Sequence, residues 1–496
     1  MASRRLPPLP TYRTDAVTRR LCAAMHLDDH FAQQVHEEFT ADRMAALGLP
    51  LGVNLVAIVR HARVAVKRTE TRDRRLAWLF AGWGAALLLA MYGLGSGSSV
   101  VAAAGGCGIL VVLGTAWWLV HQAESEARAA ALAVRDTGSK PGDLAPPAPQ
   151  EVEDQLRELK RANVMPYTAA AERTNPFVGS GRKIKEAVWQ PIDISAPAHA
   201  PGGGKLTITP FDAVDLHTYV AREMEKVAGL EGLRAQNRLY VLGTHVQRVG
   251  PELLPEPAGR PRARIPTQLV QAGLVHPGAG MRTYLSLERV GEGGRVIVSM
   301  YLRARLQHPS LSWEVAAFAI PPVSSRYNRV DYLPLDGFER WWSLVRFATR
   351  QTWPALRGAL RRNHRRGSER SRKARDLEKW RKEIGKRHAV YDYGAVDSLR
   401  ERVASWDALG HSDRTDSQDF LHRLQQGVLI ATERFLKDHN VDTSSFDKAQ
   451  QVINTQTYNF SGDITGPSNF GNNGQVTAYG QGPLPSGAPG NAGGQP

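Results

Sequence analysis

The residue types most able to do chemistry near the start of the chain are His26, His30 and His36, set among Asp28, Asp29, Glu37 and Glu38. Imidazoles beside carboxylates are the donor set of a metal site or an acid–base pair. No HExxH arrangement organises them, and they read as the solvated face of a helix. Gly179-Ser180-Gly181-Arg182-Lys183 could cradle a phosphate on backbone N–H groups. It lacks the Walker spacing and is not the GxSxG elbow of a hydrolase, so it reads as a turn. Pro201–Thr207, "PGGGKLT", fails the same test and reads as a connector. The two cysteines, Cys22 and Cys107, have no metal-ligand spacing and exclude a disulfide framework. The expectation is a non-enzymatic protein with no catalytic, cofactor or metal residues.

What the sequence does concentrate is positive charge. Between Arg346 and Arg387 stand 16 Lys+Arg against 4 Asp+Glu, which is +12 of the chain's net +15. Just before lies "RWWSLVRFATRQTWPALRGAL", a mixture of Trp, Leu and Arg of the kind found in helices lying among lipid headgroups. Pro354 is expected to divide that stretch into two short helices. Beyond it, Glu369–Lys373, Glu378–Lys382 and Glu383–Arg387 place acid four residues before base, the stabilising order on a helix. The assigned anion-binding residues are Trp341, Trp342, Trp353, Arg361, Arg362, Arg365, Arg366, Arg370, Arg372 and Lys373. Their expected partner is anionic lipid of the inner leaflet, each basic residue near the surface adding about 1 kcal/mol. A solvated helix bridging two domains weighs equally. Nucleic acid ranks last, because no recognition fold surrounds the charge.

The elements that must position these residues begin with a hairpin. Leu76–Leu94 and Val100–Val120 are uncharged and close to the ~20 apolar residues a bilayer crossing needs. Only Gly95–Ser99 separates them. Trp78, Trp117 and Trp118 suit the aromatic belt of one face and Tyr92 that of the other. Lys67, Arg68, Arg72, Arg74 and Arg75 precede the first span, so both flanks are expected in the cytoplasm of a two-span plasma-membrane protein. No apolar h-region opens the chain, so no cleaved signal is expected. Small residues recur at Gly82, Ala86, Ala90 and at Ala102/Gly106, Ala104/Gly108, a spacing that packs a hairpin on itself or joins copies as a homo-oligomer.

The remaining chain divides by pattern. Residues 1–75 read as a cytosolic helical region, 76–120 as the transmembrane hairpin and 121–175 as a helix with a Pro/Gly-rich linker. Residues 176–339 read as an α+β domain with a largely antiparallel sheet, with strands including "KLTITPF" and a helix capped by Asp212. Its polar residues His217, His245, Arg289, Arg303, Arg305 and Glu314 are expected on an exposed face. Residues 340–390 form the amphipathic and basic segment, 391–450 C-terminal helices, and 451–496 a disordered tail rich in Gly and Asn.

The order of "HLDDHFAQQV", "GVNLVAIVRHA", the hairpin, "NPFVGSG", "SLSWEVAAFAIPPVSSRYNRVD" and "YDYGAVDSLRE" resembles a group of two-span membrane proteins of actinobacteria with no assigned activity. The resemblance covers most of 14–446 and implies architecture alone. In the tail, Phe470, Gly471, Asn472, Asn473 and Gln475 resemble the Gly/Asn motifs of bacterial amyloid-signalling tails, with Asn469 and Phe470 departing from the Gln and aliphatic residue usual there. The function expected is a membrane-anchored cytoplasmic scaffold or signalling protein with a cytosolic protein partner. The alternatives are a membrane-perturbing effector assembling through tail and hairpin, and a membrane-bound enzyme with a pocket invisible to sequence.

Overall fold

The computed structural model describes residues 12–446, apart from 42–43, 172–174, 279, 336, 388 and 445. The tail, with its assembly motif Phe470–Gln475, lies outside the described residues. Helices α1 (Ala16–Leu27) and α2 (Asp29–His36) precede two long ones, α3 (Leu55–Gly95) and α4 (Ser99–Asp136). After α5 (Gln150–Leu159) come the strands β1 (Val164–Tyr167), β2 (Arg182–Val188) and β3 (Ile192–Asp193). Helix α6 (Ala213–Met224) starts at Asp212, whose carboxylate accepts from the Val214 and Asp215 amides in a capping box, as the sequence leads one to expect. Strand β4 (Arg234–Leu242) and the short helices α7 (Val246–Val249) and α8 (Thr267–Val275) follow. A meander of β5 (Met281–Val290), β6 (Ile297–Gln307) and β7 (Ser310–Ile320) then leads into α9 (Gly337–Arg387). Helices α10 (Leu399–Arg402) and α11 (His411–Asp438) close the described chain.

The fold is α+β, with an open mixed sheet and two long apolar helices. Strand order is β1-β4-β5-β6-β7-β2, with β3 also on β7. The β1–β4 pair is parallel and the rest antiparallel. β1 arises in the segment read as linker: four residues containing Pro166 give too little alternation to announce a strand.

Both faces of the sheet are covered, which corrects the expected exposed polar face. Tyr240, Tyr301, Phe318 and Ile320 share a core with Leu21 and Met25 of α1, Phe31 of α2 and Ile58 of α3. Residues of opposite parity, Val298, Met300, Leu302 and Val315, pack with Leu216 and Val220 of α6 and Leu424 and Val428 of α11. Strand side chains alternate between faces, so a run such as "IVSMYL", apolar on both parities, requires two covers. His217 is accordingly buried on α6, and Arg303 is half-buried in an ion pair with Glu314 at 3.3 Å. "KLTITPF" forms no strand; Lys205 makes one isolated bridge with His199.

α3 and α4 run antiparallel. A Cβ on Gly93 would stand 2.3 Å from the Ala102 amide nitrogen, and one on Gly105 2.4 Å from that of Ala90. Backbones this close tolerate only small residues, so this stripe packs the hairpin on itself. Among the described residues, no atom beyond the helix's own neighbouring backbone lies within 4 Å of a Cβ on Gly84, Gly106 or Gly114. The polar half of α3 is built into the core under the sheet. The apolar halves of both helices project beyond it.

α9 is one helix across Pro354, against the expected break. Ala348 before the proline, with Phe347 packed beside it, and Leu356 and Ala359 after it belong to the same cluster as Leu76, Ala77, Ala116, Leu119 and Val120. Burial on both sides holds the axis through a residue that lacks one backbone donor.

Candidate membrane-surface site

α9 passes across both helices of the hairpin where their apolar runs meet their polar extensions. Its first half contacts α4: Arg128 donates to Ser343 Oγ at 2.8 Å and lies over the Phe347 ring, and Trp117 Nε1 donates to Thr349 Oγ1 at 3.2 Å. The Trp353 ring meets Trp83 of α3 edge-on, centroids 5.3 Å apart. Its second half continues along α3 toward the core that α3 shares with the sheet.

Helical spacing sorts the side chains of α9 into three edges. The first is the inward edge just described, which continues past Ala359 as Arg362, Arg366, Arg370 and Lys373. Arg362 holds Asp73 with Nε and Nη2, at 3.0 and 3.1 Å. Arg366 Nη1 is 2.8 Å from the same carboxylate, and Arg72 reaches it at 3.2 Å. Asn363 donates to the Asp73 carbonyl at 3.1 Å. Asp73 is fully buried, so three guanidinium groups neutralise one enclosed carboxylate. Arg370 pairs with Glu70 and Lys373 with Glu37.

On the second edge, Phe338, Trp342, Val345, Thr349, Trp353 and Leu360 recur at helical intervals, and Phe338, Trp342, Trp353 and Leu360 are exposed. The third edge carries Arg346, Arg350, Arg357 and Arg361, all exposed and, among the described residues, without a carboxylate partner. Further along, Arg365 and Arg372 reach only Glu369 and Asp376 one turn away, at 3.5 and 3.9 Å, exposed pairs worth ~0–1 kcal/mol. Trp341 is half-exposed against Phe338 and Trp342.

Of the ten assigned anion-binding residues, the structure therefore gives four, Arg362, Arg366, Arg370 and Lys373, to carboxylates of other elements of this chain. Among the described residues, the other six meet no carboxylate beyond their own helix. Arg346, Arg350 and Arg357 join them, although the assignment omitted them; their spacing with Arg361 on one helix face was the available signal.

Three histidines, His26, His61 and His217, are hydrogen-bonded inside the fold. His61 Nε2 lies 2.9 Å from the Pro141 carbonyl, an acceptor only, so that nitrogen carries the proton. His61 Nδ1 must then accept from His26 Nε2, 2.9 Å away, leaving His26 Nδ1 to accept from Arg68 at 3.1 Å. This wire needs neutral rings, and burial, with His61 and Arg68 alongside, holds His26 well below the usual imidazole range. His26 is thus buried rather than on a solvated face. Among the described residues, no group of three or more His, Cys, Asp or Glu is placed to hold a metal.

His217 Nε2 accepts from the Ala304 amide at 2.9 Å, and Nδ1 therefore donates to Asn237 Oδ1 at 3.0 Å. Burial lowers its pKa to about 4. Arg238 and Glu288 pair at 2.5 Å inside the core. Arg400, its pKa lowered to about 10 by burial, donates through Nη2 to the carbonyls of Gly294, Arg295 and Pro321. A cleft of about 330 Å³ opens between α5, β1 and the 255–263 loop. Phe39, Leu47 and Met165 floor it, Glu158 and Arg260 line it, and its described lining contains no His, Cys or Ser.

An α+β protein carrying an exposed apolar hairpin crossed by a Trp- and Arg-edged helix is the class that these observations define. The sequence matches the AbeC-like domain over residues 188–474, more than half of the 496-residue chain, and the chain belongs to that family. The matched region starts after the hairpin, takes in α9 and runs into the tail. No curated protein and no solved structure matches the chain.

Proposed function

We propose that this chain is a non-enzymatic, membrane-anchored cytoplasmic scaffold or signalling protein, a two-span protein of the actinobacterial kind its sequence resembles. The hairpin crosses the plasma membrane, the segments on either side of it lie in the cytoplasm, and α9 rests on the anionic inner leaflet. The observation that carries this reading is the hairpin's uncovered surface. Only 11% of the most apolar window of each long helix is buried. A core helix of a water-soluble protein hides such a surface, whereas here Leu88, Met91, Leu94, Val100, Leu110 and Val111 are exposed. Lipid is the solvent that suits them.

The placement of α9 supports the second half of the reading. From Thr349 onward its Trp-bearing edge sits beside Trp83 and Trp117, where an aromatic belt forms, and Arg350, Arg357 and Arg361 lie alongside. The internal use of His26, His61, His217 and the Arg238–Glu288 pair supports a binding rather than a catalytic role. The cytosolic body is then what a partner recognises.

The test is labelling of intact cells with a membrane-impermeant maleimide in a Cys107→Ala background, where the buried Cys22 is shielded. Ser99→Cys at the exposed start of α4 should react, while Ser195→Cys and Ser444→Cys, both exposed on the cytosolic body, should react only after lysis. Labelling of Ser195→Cys from outside would overturn the topology.

A further inference from the structure

We infer that the start of α9 is a self-complementary surface through which two anchored copies pair. Glu339, Trp342 and Arg346 occupy one face of the helix (i, i+3, i+7), and all three are exposed. Among the described residues, neither Glu339 nor Arg346 has an ion-pair partner. Around them Phe338, Trp341 and Trp342 form an open aromatic cluster with centroids 5.7–6.3 Å apart, which no other element covers. An acid, an aromatic group and a base in that order is a pattern that complements itself when reversed.

The occupant follows from symmetry. The inference rests on the anchoring reading: hairpins in one membrane share side and depth, so two copies meet laterally about a twofold axis along the membrane normal. A helix that crosses the hairpin neck meets its copy antiparallel under that operation. With the axis between Trp342 and Ser343, residue numbers on the two copies sum to 685. Glu339 then faces Arg346 of the second copy, and Arg346 faces Glu339, giving two ion pairs around a pair of Trp342 rings. Arg350 falls opposite Leu335 rather than another cation, and Arg357 lies beyond the start of the opposing helix. The unpaired guanidinium groups are therefore not brought together. The open Gly84, Gly106 and Gly114 of the hairpin leave the spans free to approach as well.

Charge reversal tests the register. Full-length chain is reconstituted in lipid vesicles at low density, and its stoichiometry is counted by single-molecule photobleaching. Wild type should be dimeric, Glu339→Arg and Arg346→Glu each monomeric, and the double reversal Glu339→Arg/Arg346→Glu dimeric again. Both positions are solvent-exposed and, among the described residues, without ion-pair partners, so the single variants should fold, and unchanged membrane retention checks this. Dimers that persist in Glu339→Arg, or that fail to return in the double variant, contradict the pairing. Wild-type chain that stays in the membrane as a monomer contradicts it too, including the case where a larger complex forms only in cells, which assigns the face to another protein. Wild-type chain released from membranes by alkaline carbonate fails the anchoring reading instead, and with it this inference.

Discussion

The inward and outward edges of α9 carry the same residue type at the same helical spacing and meet opposite surroundings. Inward, Arg362 and Arg366 close on a buried carboxylate that α3 supplies from about 290 positions earlier. Outward, a fraction of a turn away, Arg357 and Arg361 have no carboxylate among the described residues. The first pair is structural: removing Asp73 would strand guanidinium groups in a poorly hydrated neck. The second pair is available to an anion from outside the chain. Charge density along a sequence thus says that anions are needed, and the helix face decides which cations the fold has already satisfied.

Breaking the inward edge should have the largest effect. Asp73→Asn keeps the shape and removes the charge that Arg362, Arg366 and Arg72 share, and losing one partner of a buried ion cluster costs about 3–5 kcal/mol. Denaturant unfolding in nanodiscs should show it, and a loss under 1 kcal/mol would mean that water already reaches the site. Glu70→Gln is the matched control: its partner Arg370 is exposed, and the expected loss is ~0–1 kcal/mol.

The outward edge should respond in the reverse manner. Arg350→Gln/Arg357→Gln/Arg361→Gln should leave stability within about 0.5 kcal/mol per site, since these side chains are exposed and, among the described residues, have no ion-pair partner. It should instead lose about 1 kcal/mol per residue of attraction to anionic lipid. The readout is the salt dependence of α9 protection in hydrogen exchange, compared between anionic and zwitterionic nanodiscs. Equal loss of stability from both edges would erase the distinction between them.

Acid sharpens the comparison, because guanidinium groups do not titrate while a buried imidazole does. His217 is held neutral by burial, with a pKa of about 4 in the fold against about 6.5 unfolded. The unfolded chain binds the extra proton between those values, so this contribution is complete above pH 6.5 and is lost as pH falls toward 4. It amounts to at most about 3 kcal/mol. The sheet should therefore weaken over that window while lipid attraction by the outward arginines holds, and His217→Gln should flatten the pH slope of unfolding.

How much of this was legible in the sequence depends on the distance over which each signal acts. Hydropathy exposed the hairpin and an Asp-led cap placed α6, because each signal lies within one element. The apolar runs of β6 and β7 on both parities announced a doubly covered sheet, but the polar residues among them invited an exposed-face reading. Continuity of α9 through Pro354 was not legible, since it rests on Leu76, Ala77 and Val120 far away in sequence. Nor was the division of the arginines, which depends on Asp73, Glu70 and Glu37 arriving from another helix and its neighbour. Local charge pairs such as Glu378–Lys382, which forms at 2.8 Å, gave the helix and said nothing of its sides; Glu369 instead meets Arg365, and Lys373 meets Glu37.

The account's central claim is that the outward edge of α9 rests on an anionic leaflet while the distal end of the same helix belongs to the cytosolic body. Nitroxides at Arg357→Cys and Lys379→Cys, both exposed, report this in full-length protein carrying Cys107→Ala. In anionic nanodiscs the label at 357 should be shielded from a water-soluble nickel chelate and relaxed by a chelate tethered at the headgroups. The label at 379 should show the opposite pattern, and the shielding at 357 should diminish in zwitterionic lipid. Equal exposure of both positions to the soluble chelate, whatever the lipid, would contradict the claim.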